Sequence, residues 1–184
     1  MNRLTIVVEG HMDVTLLRKY LPEIPELTTR FFAGDGRVSL PTVARNLLVH
    51  EGGPVLIVMD ADSLDLDQAE QNRAMAIATL RRVAAEERFD VFAYLPEHEV
   101  IFFEAPEVLE RRCGKSLLTP AVLDRGRYDP RQVLEDILAK LKKTRSSWLA
   151  SLTSEDGESL RAGTQAGRLV TMFRSLASDR TMAA

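Results

Sequence analysis

Four carboxylates stand out for where they fall along the chain. Glu9 closes the apolar run Leu4–Val8 and is followed by Gly10, and Asp13 lies four residues beyond it. Asp60 closes a second apolar run, Val55–Met59, and Asp62 follows two residues later. If each run is a strand, Glu9 sits at a carboxyl end, Gly10 makes the turn, and Asp13 enters the first turn of the next helix. Alternation along an extended segment would point Asp60 and Asp62 the same way. Carboxylates gathered this closely repel at neutral pH unless a cation neutralises them, and an oxygen-only donor set suits one or two Mg²⁺ or Mn²⁺ ions. An Asp at a strand end is often only a helix cap, and Asp-x-Asp arises by chance in acidic loops. Two clusters that each close an apolar strand outweigh those readings. The electropositive start of the first helix also offers a place for phosphate.

The elements that must position these groups are legible as strands and helices in alternation. Strands are expected at Leu4–Val8, Arg30–Ala33, Val55–Met59 and Val91–Leu95. The first, third and fourth are continuously apolar, as suits a parallel sheet covered on both faces. Helices are expected over Met12–Leu21, stopped by Pro22; over Val38–His50, closed by Gly52-Gly53-Pro54; and over Asp67–Arg88, a stretch rich in Ala, Arg and Glu. Such alternation predicts right-handed crossovers, with the ligand site beyond the carboxyl ends of the strands. Past Pro96 the pattern turns helical, near Ala105–Arg112, Pro130–Lys143 and Glu158–Ala177, and residues from about Ser178 to Ala184 read as a frayed end.

The bulk numbers narrow the function classes. The chain has 184 residues, 45% hydrophobic and 28% charged, enough for one α/β domain with a core. Its apolar runs are too short to span a bilayer, and the N-terminus lacks the pattern of a secretory signal. The single cysteine, Cys113, excludes an internal disulfide and a multi-cysteine zinc site, so a cytoplasmic protein is expected. The net charge of −3 hides an asymmetry. Residues 1–110 hold 10 basic and 19 acidic side chains, and residues 111–184 hold 14 and 8, or −9 and +6. Acidic groups thus concentrate around the proposed cation site, and basic groups where a polyanion could lie or where helices merely present a solvated face.

The order apolar strand, Glu9-Gly10-x-x-Asp13, apolar strand, Asp60-x-Asp62 resembles the TOPRIM domain of topoisomerases, primases and OLD-type nucleases. Ala33-Gly34-Asp35-Gly36-Arg37 resembles the glycine-containing segment after that fold's second strand. Leu95-Pro96-Glu97-His98-Glu99-Val100 is similar to the strand-end segment of OLD-family proteins, in which a further Glu joins the metal ligands. Glu99 matches it best, with Glu97 as the fallback. The resemblance covers roughly residues 3–105. It implies a Rossmann-like α/β TOPRIM core over residues 1–105, with a mainly parallel four-stranded sheet. Residues 106–184 would form a helical extension packed on it as one compact unit.

The resemblance further implies metal-dependent phosphodiester chemistry on nucleic acid, with DNA expected over RNA. Metal would be held by Glu9, Asp13, Asp60, Asp62 and Glu99, with Glu9, Asp60 and Asp62 carrying the chemistry. OLD-type enzymes also use a downstream Lys. None lies between Lys19 and Lys115, which leaves Lys115 as the candidate. Arg37 and the basic run Lys142, Lys143 and Arg145, beside Trp148, are candidates for contacting nucleic acid; the equal alternative is a loop arginine and a helix end with Trp148 in the core. His11 and His98 flank the ligand segments and are expected to be exposed loop histidines. Phe102, Phe103 and Cys113 are expected to be structural. No P-loop precedes the acidic region, nor does any of Tyr20, Tyr94 and Tyr128 stand out as a topoisomerase nucleophile. A small stand-alone TOPRIM protein is expected, as a nuclease or as a subunit needing a separately encoded ATPase, and a homodimer is compatible with the sequence. A second enzymatic reading takes Asp60 and Asp62 as a haloacid-dehalogenase-type phosphatase pair, but that pair belongs on a first strand and leaves Glu9 idle.

Overall fold

The structure, a computed structural model, describes residues 3–21 and 29–178. The helix stop expected at Pro22 and the end from residue 179 lie outside the described residues. Four parallel strands, β1 (Leu4–Val8), β2 (Thr29–Ala33), β3 (Val55–Asp60) and β4 (Phe89–Tyr94), form one sheet in the order β2-β1-β3-β4. The two inner strands, β1 and β3, are buried at every residue, which is why their sequences are apolar apart from Thr5 and the terminal Asp60.

The pleat divides those residues between two cores. Val7, Val55, Ile57 and Met59 face α2 (Leu40–His50) and α3 (Leu66–Leu80), which bring Leu40, Ala44, Leu48, Ala76 and Leu80 to the sheet. Leu4, Ile6, Val8, Leu56 and Val58 face the other way, against α1 (His11–Tyr20) through Leu16, Leu17 and Tyr20. That second core runs on into the helices that follow β4: α4 (Ile101–Glu104), α5 (Pro106–Cys113), α6 (Pro120–Tyr128), α7 (Pro130–Lys140), α8 (Arg145–Ala150), α9 (Ser154–Arg161) and α10 (Thr164–Ser178). Phe102, Phe103, Cys113 and Trp148 all lie in it. No helix among the described residues is long and apolar enough to cross a membrane.

Several elements depart from the expected outline, α4 and α8 among them as helices that the sequence reading lacks. The helix expected over Asp67–Arg88 ends at Leu80, although its composition favours continuation. Leu80 and Phe89 both enter the same core, so the chain must turn between them, and tertiary packing overrides propensity. The helix expected over Glu158–Ala177 is two, α9 and α10, with Gly163 between them close against Glu104. A helix absent from the sequence reading, α6, begins at Thr119-Pro120, where the Thr119 hydroxyl accepts the Val122 N–H; a capping Thr followed by Pro was the available signal.

The C-terminal helices grip the sheet at close quarters. Gly157 of α9 meets the α1 backbone so tightly that a Cβ there would lie 1.9 Å from the Lys19 carbonyl oxygen. Lys19 Nζ donates to the carbonyls of Ala150 and Leu152, both at 2.8 Å. Asp156, 1% exposed, ties α9 to α5 through Arg111 and Arg112.

Candidate active site

The carboxyl ends of β1, β3 and β4 meet at one point, and hydrogen bonds tie their exits together. Glu9 leaves β1 with Oε1 accepting the Asp60 N–H at 2.9 Å. Past β3, the Ala61 N–H donates to Tyr94 O at 2.8 Å and the Asp62 N–H to Pro96 O at 3.0 Å. The Glu9 and Gly34 loops are joined too, with Gly34 N donating to Val8 O and Gly36 N to Glu9 O. Strand order therefore places Glu9 and Asp60 side by side, with the segment after β4 closing over Asp60.

That closing segment is built around His98. Its N–H donates to Asp60 Oδ1 at 2.8 Å. Its ring stacks on Tyr94, centroids 4.3 Å apart, and is 2% exposed, so the exposed loop histidine expected here is a buried one; His11 is exposed, as expected. His98 Nδ1 lies 3.3 Å from Asp13 Oδ1, and Nε2 lies 2.9 Å from the Tyr20 hydroxyl, which in turn hydrogen-bonds the Tyr94 hydroxyl. Asp13 Oδ2 accepts the Gly10 N–H at 2.9 Å, the turn the sequence required. Burial works against the Asp13 charge, but the His98 hydrogen bond and charge, the Gly10 N–H and Arg145 together hold its carboxyl below the usual range.

Asp60 is the centre of the constellation. It is 6% exposed, and burial first, then the charges of Glu99, Glu9 and Asp13, push its carboxyl up to about 8 against the counter-pull of Arg131. Burial likewise raises Glu9, with Asp62 and Asp13 adding to it and the Asp60 N–H opposing. Glu99 is 3% exposed, with Oε1 3.0 Å from Arg145 Nη1 and Oε2 buried without a hydrogen bond. Of the two candidate glutamates after β4, Glu99 is the buried one facing Asp60. Glu97 is half-buried, with Oε2 accepting the Arg131 N–H at 3.2 Å.

Asp62 departs from the expected geometry. The strand ends at Asp60, and Asp62 has φ 51°, so alternation no longer applies to it. Its carboxylate turns to Arg37, with Nη1 3.1 Å from Oδ2, and the same nitrogen donates to Ala61 O at 3.0 Å. Asp62 and Glu97 line a cleft of about 260 Å³ with Pro96, Tyr128 and Asp129.

The sequence reading missed Arg131. It is the second residue of α7, and its Nη2 donates to Asp60 Oδ2 at 2.7 Å, while Nη1 is 3.7 Å from Glu97 Oε1 and Nε 3.7 Å from Glu99 Oε2. Burial opposes its charge, and Glu99, Glu97, Asp60 and Asp62 more than restore it. No motif marks it; the one signal was the +6 charge of the C-terminal region facing an acidic core. Arg145, expected on nucleic acid, instead faces inward onto Glu99, whereas Lys142 and Lys143 are exposed. Lys115 is not brought to the site: its side chain is 82% exposed and pairs with Glu110 at 3.3 Å.

Six carboxylates (Glu9, Asp13, Asp60, Asp62, Glu97 and Glu99) thus share three guanidinium groups, those of Arg37, Arg131 and Arg145. Among the described residues, no three His, Cys, Asp or Glu side chains are already gathered into a cation cage; Arg131 stands among Asp60, Glu97 and Glu99 instead. The donor set still suits a hard divalent cation: its oxygens are carboxylate, its charge is in excess, and Glu99 Oε2 is buried without a hydrogen bond.

No protein-family profile matches the chain, and no curated protein matches it. Among solved structures it is similar to the C-terminal region of the Burkholderia pseudomallei OLD protein, with a TM-score of 0.56 and 15% identity over 96% of this chain and 99% of that one. The C-terminal region of the Xanthomonas campestris pv. campestris OLD protein aligns with a TM-score of 0.43 and 16% identity, over 97% of this chain and 94% of that one. The first alignment shows that the chain shares the fold of that region, the TOPRIM α/β fold with helices on both faces of the sheet.

Proposed function

We propose that the protein hydrolyses phosphodiester bonds of nucleic acid, DNA before RNA, with Mg²⁺ or Mn²⁺ held by Glu9, Asp60 and Glu99 and supported by Asp13 and Asp62. The observation that carries this reading is the buried excess of carboxylate at the strand ends, where Asp60 is pushed to about 8 and Glu99 Oε2 has no hydrogen bond. The shared fold with an OLD C-terminal region supports it. A divalent cation bound there would polarise the phosphoryl group and lower the pKa of an attacking water.

The chain's own residues have distinct tasks in that reaction. Glu9 keeps Oε1 on the Asp60 N–H, which leaves Oε2 to take a proton from the attacking water. His98 holds Asp13 and Asp60 at fixed positions from inside the core, as a positioning residue. Arg37 and Arg131 lie at the rim of the carboxylates, where a phosphate would find guanidinium forks. The phosphatase reading fits less well: a covalent nucleophile at Asp60 would have to be ionised and reachable, and here it is buried and paired.

The test is nicking of supercoiled plasmid by purified protein with Mn²⁺ or Mg²⁺. Asp60→Ala is expected to abolish it, and Lys115→Ala to leave it within twofold of wild type. Equal rates for Asp60→Ala and wild type would refute the assignment. Activity that appears only on adding an ATPase encoded separately would identify the chain as the catalytic subunit of a pair.

A further inference from the structure

We propose that Arg131 is an internal counter-ion that competes with the divalent cation for Asp60, so that cation binding frees its guanidinium for the substrate phosphate. This rests on the metal-site reading above and adds to it.

Three carboxylates converge on the Arg131 guanidinium, yet only Asp60 gains a short hydrogen bond, at 2.7 Å. The other two contacts, to Glu97 and Glu99, are 3.7 Å. Arg131 Nε and Glu99 Oε2 face each other across one of those gaps, both buried and both without a hydrogen bond. A guanidinium satisfies carboxylates by a flat fork of donors, and this one meets a group of acceptors that it cannot match in a single plane. A spherical cation takes oxygen ligands from several directions and has no such mismatch. Arg131 also has somewhere to go. Its side chain is 40% exposed, and its N–H stays anchored on Glu97 beside the cleft formed by Asp62, Pro96 and Glu97.

Arg145 differs in each respect. Its side chain is 19% exposed and it is held by Glu99 Oε1 at 3.0 Å and by Met12 Sδ at 3.1 Å. It is the fixed counter-ion and Arg131 the movable one. An arginine stays charged at any working pH, so Arg131 cannot make way by losing a proton; a cation on Asp60 must displace it. Cation affinity is therefore lower than the carboxylates alone would give, and the displaced guanidinium is delivered at the rim where phosphate binds.

The experiment is a Mn²⁺ titration of wild type, Arg131→Gln and Arg131→Lys at pH 8 and low salt, read by the electron paramagnetic resonance of free Mn²⁺. Circular dichroism confirms that each variant is folded. Removing one charge a few ångströms from the cation should tighten Mn²⁺ binding of Arg131→Gln by about tenfold, while Arg131→Lys, which keeps the charge, should stay near wild type. A single-stranded oligodeoxynucleotide added with Ca²⁺ should bind Arg131→Gln more weakly than wild type. Folded Arg131→Gln with unchanged or weaker Mn²⁺ affinity would overturn the competition and leave the metal site standing. Absence of Mn²⁺ binding in all three proteins would overturn both.

Discussion

Replacing Asp60 by Asn separates the electrostatics of the site from its catalysis, because folding stability reports it without any substrate. In the folded chain Asp60 keeps its proton to about pH 8, and in the unfolded chain it releases it near the ordinary 3.8. Between those values the folded state binds more protons, so stability falls as pH rises, by up to about 1.4 kcal/mol per pH unit. From pH 5 to pH 7 the loss is about 2–3 kcal/mol, and it is complete once pH passes 8. The cause is burial, reinforced by Glu99, Glu9 and Asp13. An Asn at position 60 has no proton to lose and still accepts the His98 N–H. Its stability should fall much less over the same window, with a shallow residual slope of the same sign from the raised Glu9 and Glu97. Urea unfolding in a cation-free buffer with chelator, at unit intervals from pH 5 to pH 8, measures both curves. Parallel curves for wild type and variant would refute the charge crowding on which the metal reading stands.

Two further outcomes test how the C-terminal helices are held. Asp156→Asn should cost about 1–2 kcal/mol at pH 7, discounted because Arg111 and Arg112 are partly solvated. Burial works against the Asp156 carboxyl, but Thr153, Arg112 and Arg111 hold it at about 2, so its contribution is present above pH 4 and the gap between the variant and wild type should close as pH falls towards 2. Gly157→Ala should force α9 off the Lys19 carbonyl at a cost of about 3 kcal/mol, lowering Tm by roughly 6–12 °C; an unchanged Tm in a thermal melt would show that the two helices are not in contact.

The sheet was legible in the sequence because its inner strands carry a signal of their own: a short, mostly apolar run ended by an acid. That same punctuation located Glu9 and Asp60, and the glycine after Glu9 located Asp13. What escaped depended on contacts far apart in sequence. Asp62 seemed to continue a strand, but the backbone turns left-handed there. His98 read as a loop residue, since nothing local announces that Tyr20, 78 positions away, awaits its ring. Arg131 drew no reading and Arg145 read as a nucleic-acid contact, because a guanidinium's partner is set by how helices pack on the sheet. Trp148 had two readings, a stacking platform beside the basic run or a core residue at a helix end, and it lies in the core.

The provenance of the two arginines also sets an order on assembly. Every carboxylate of the site is in place once β4 and the residues to Glu99 have been made, but the counter-ions on Asp60 and Glu99 come from α7 and α8, more than thirty residues later. Until those helices leave the ribosome, closing the strand ends would bury acids with nothing to balance them. The acidic core and its basic extension are thus one unit of synthesis: a chain cut just after Glu99 keeps the ligands and loses what makes them tolerable indoors.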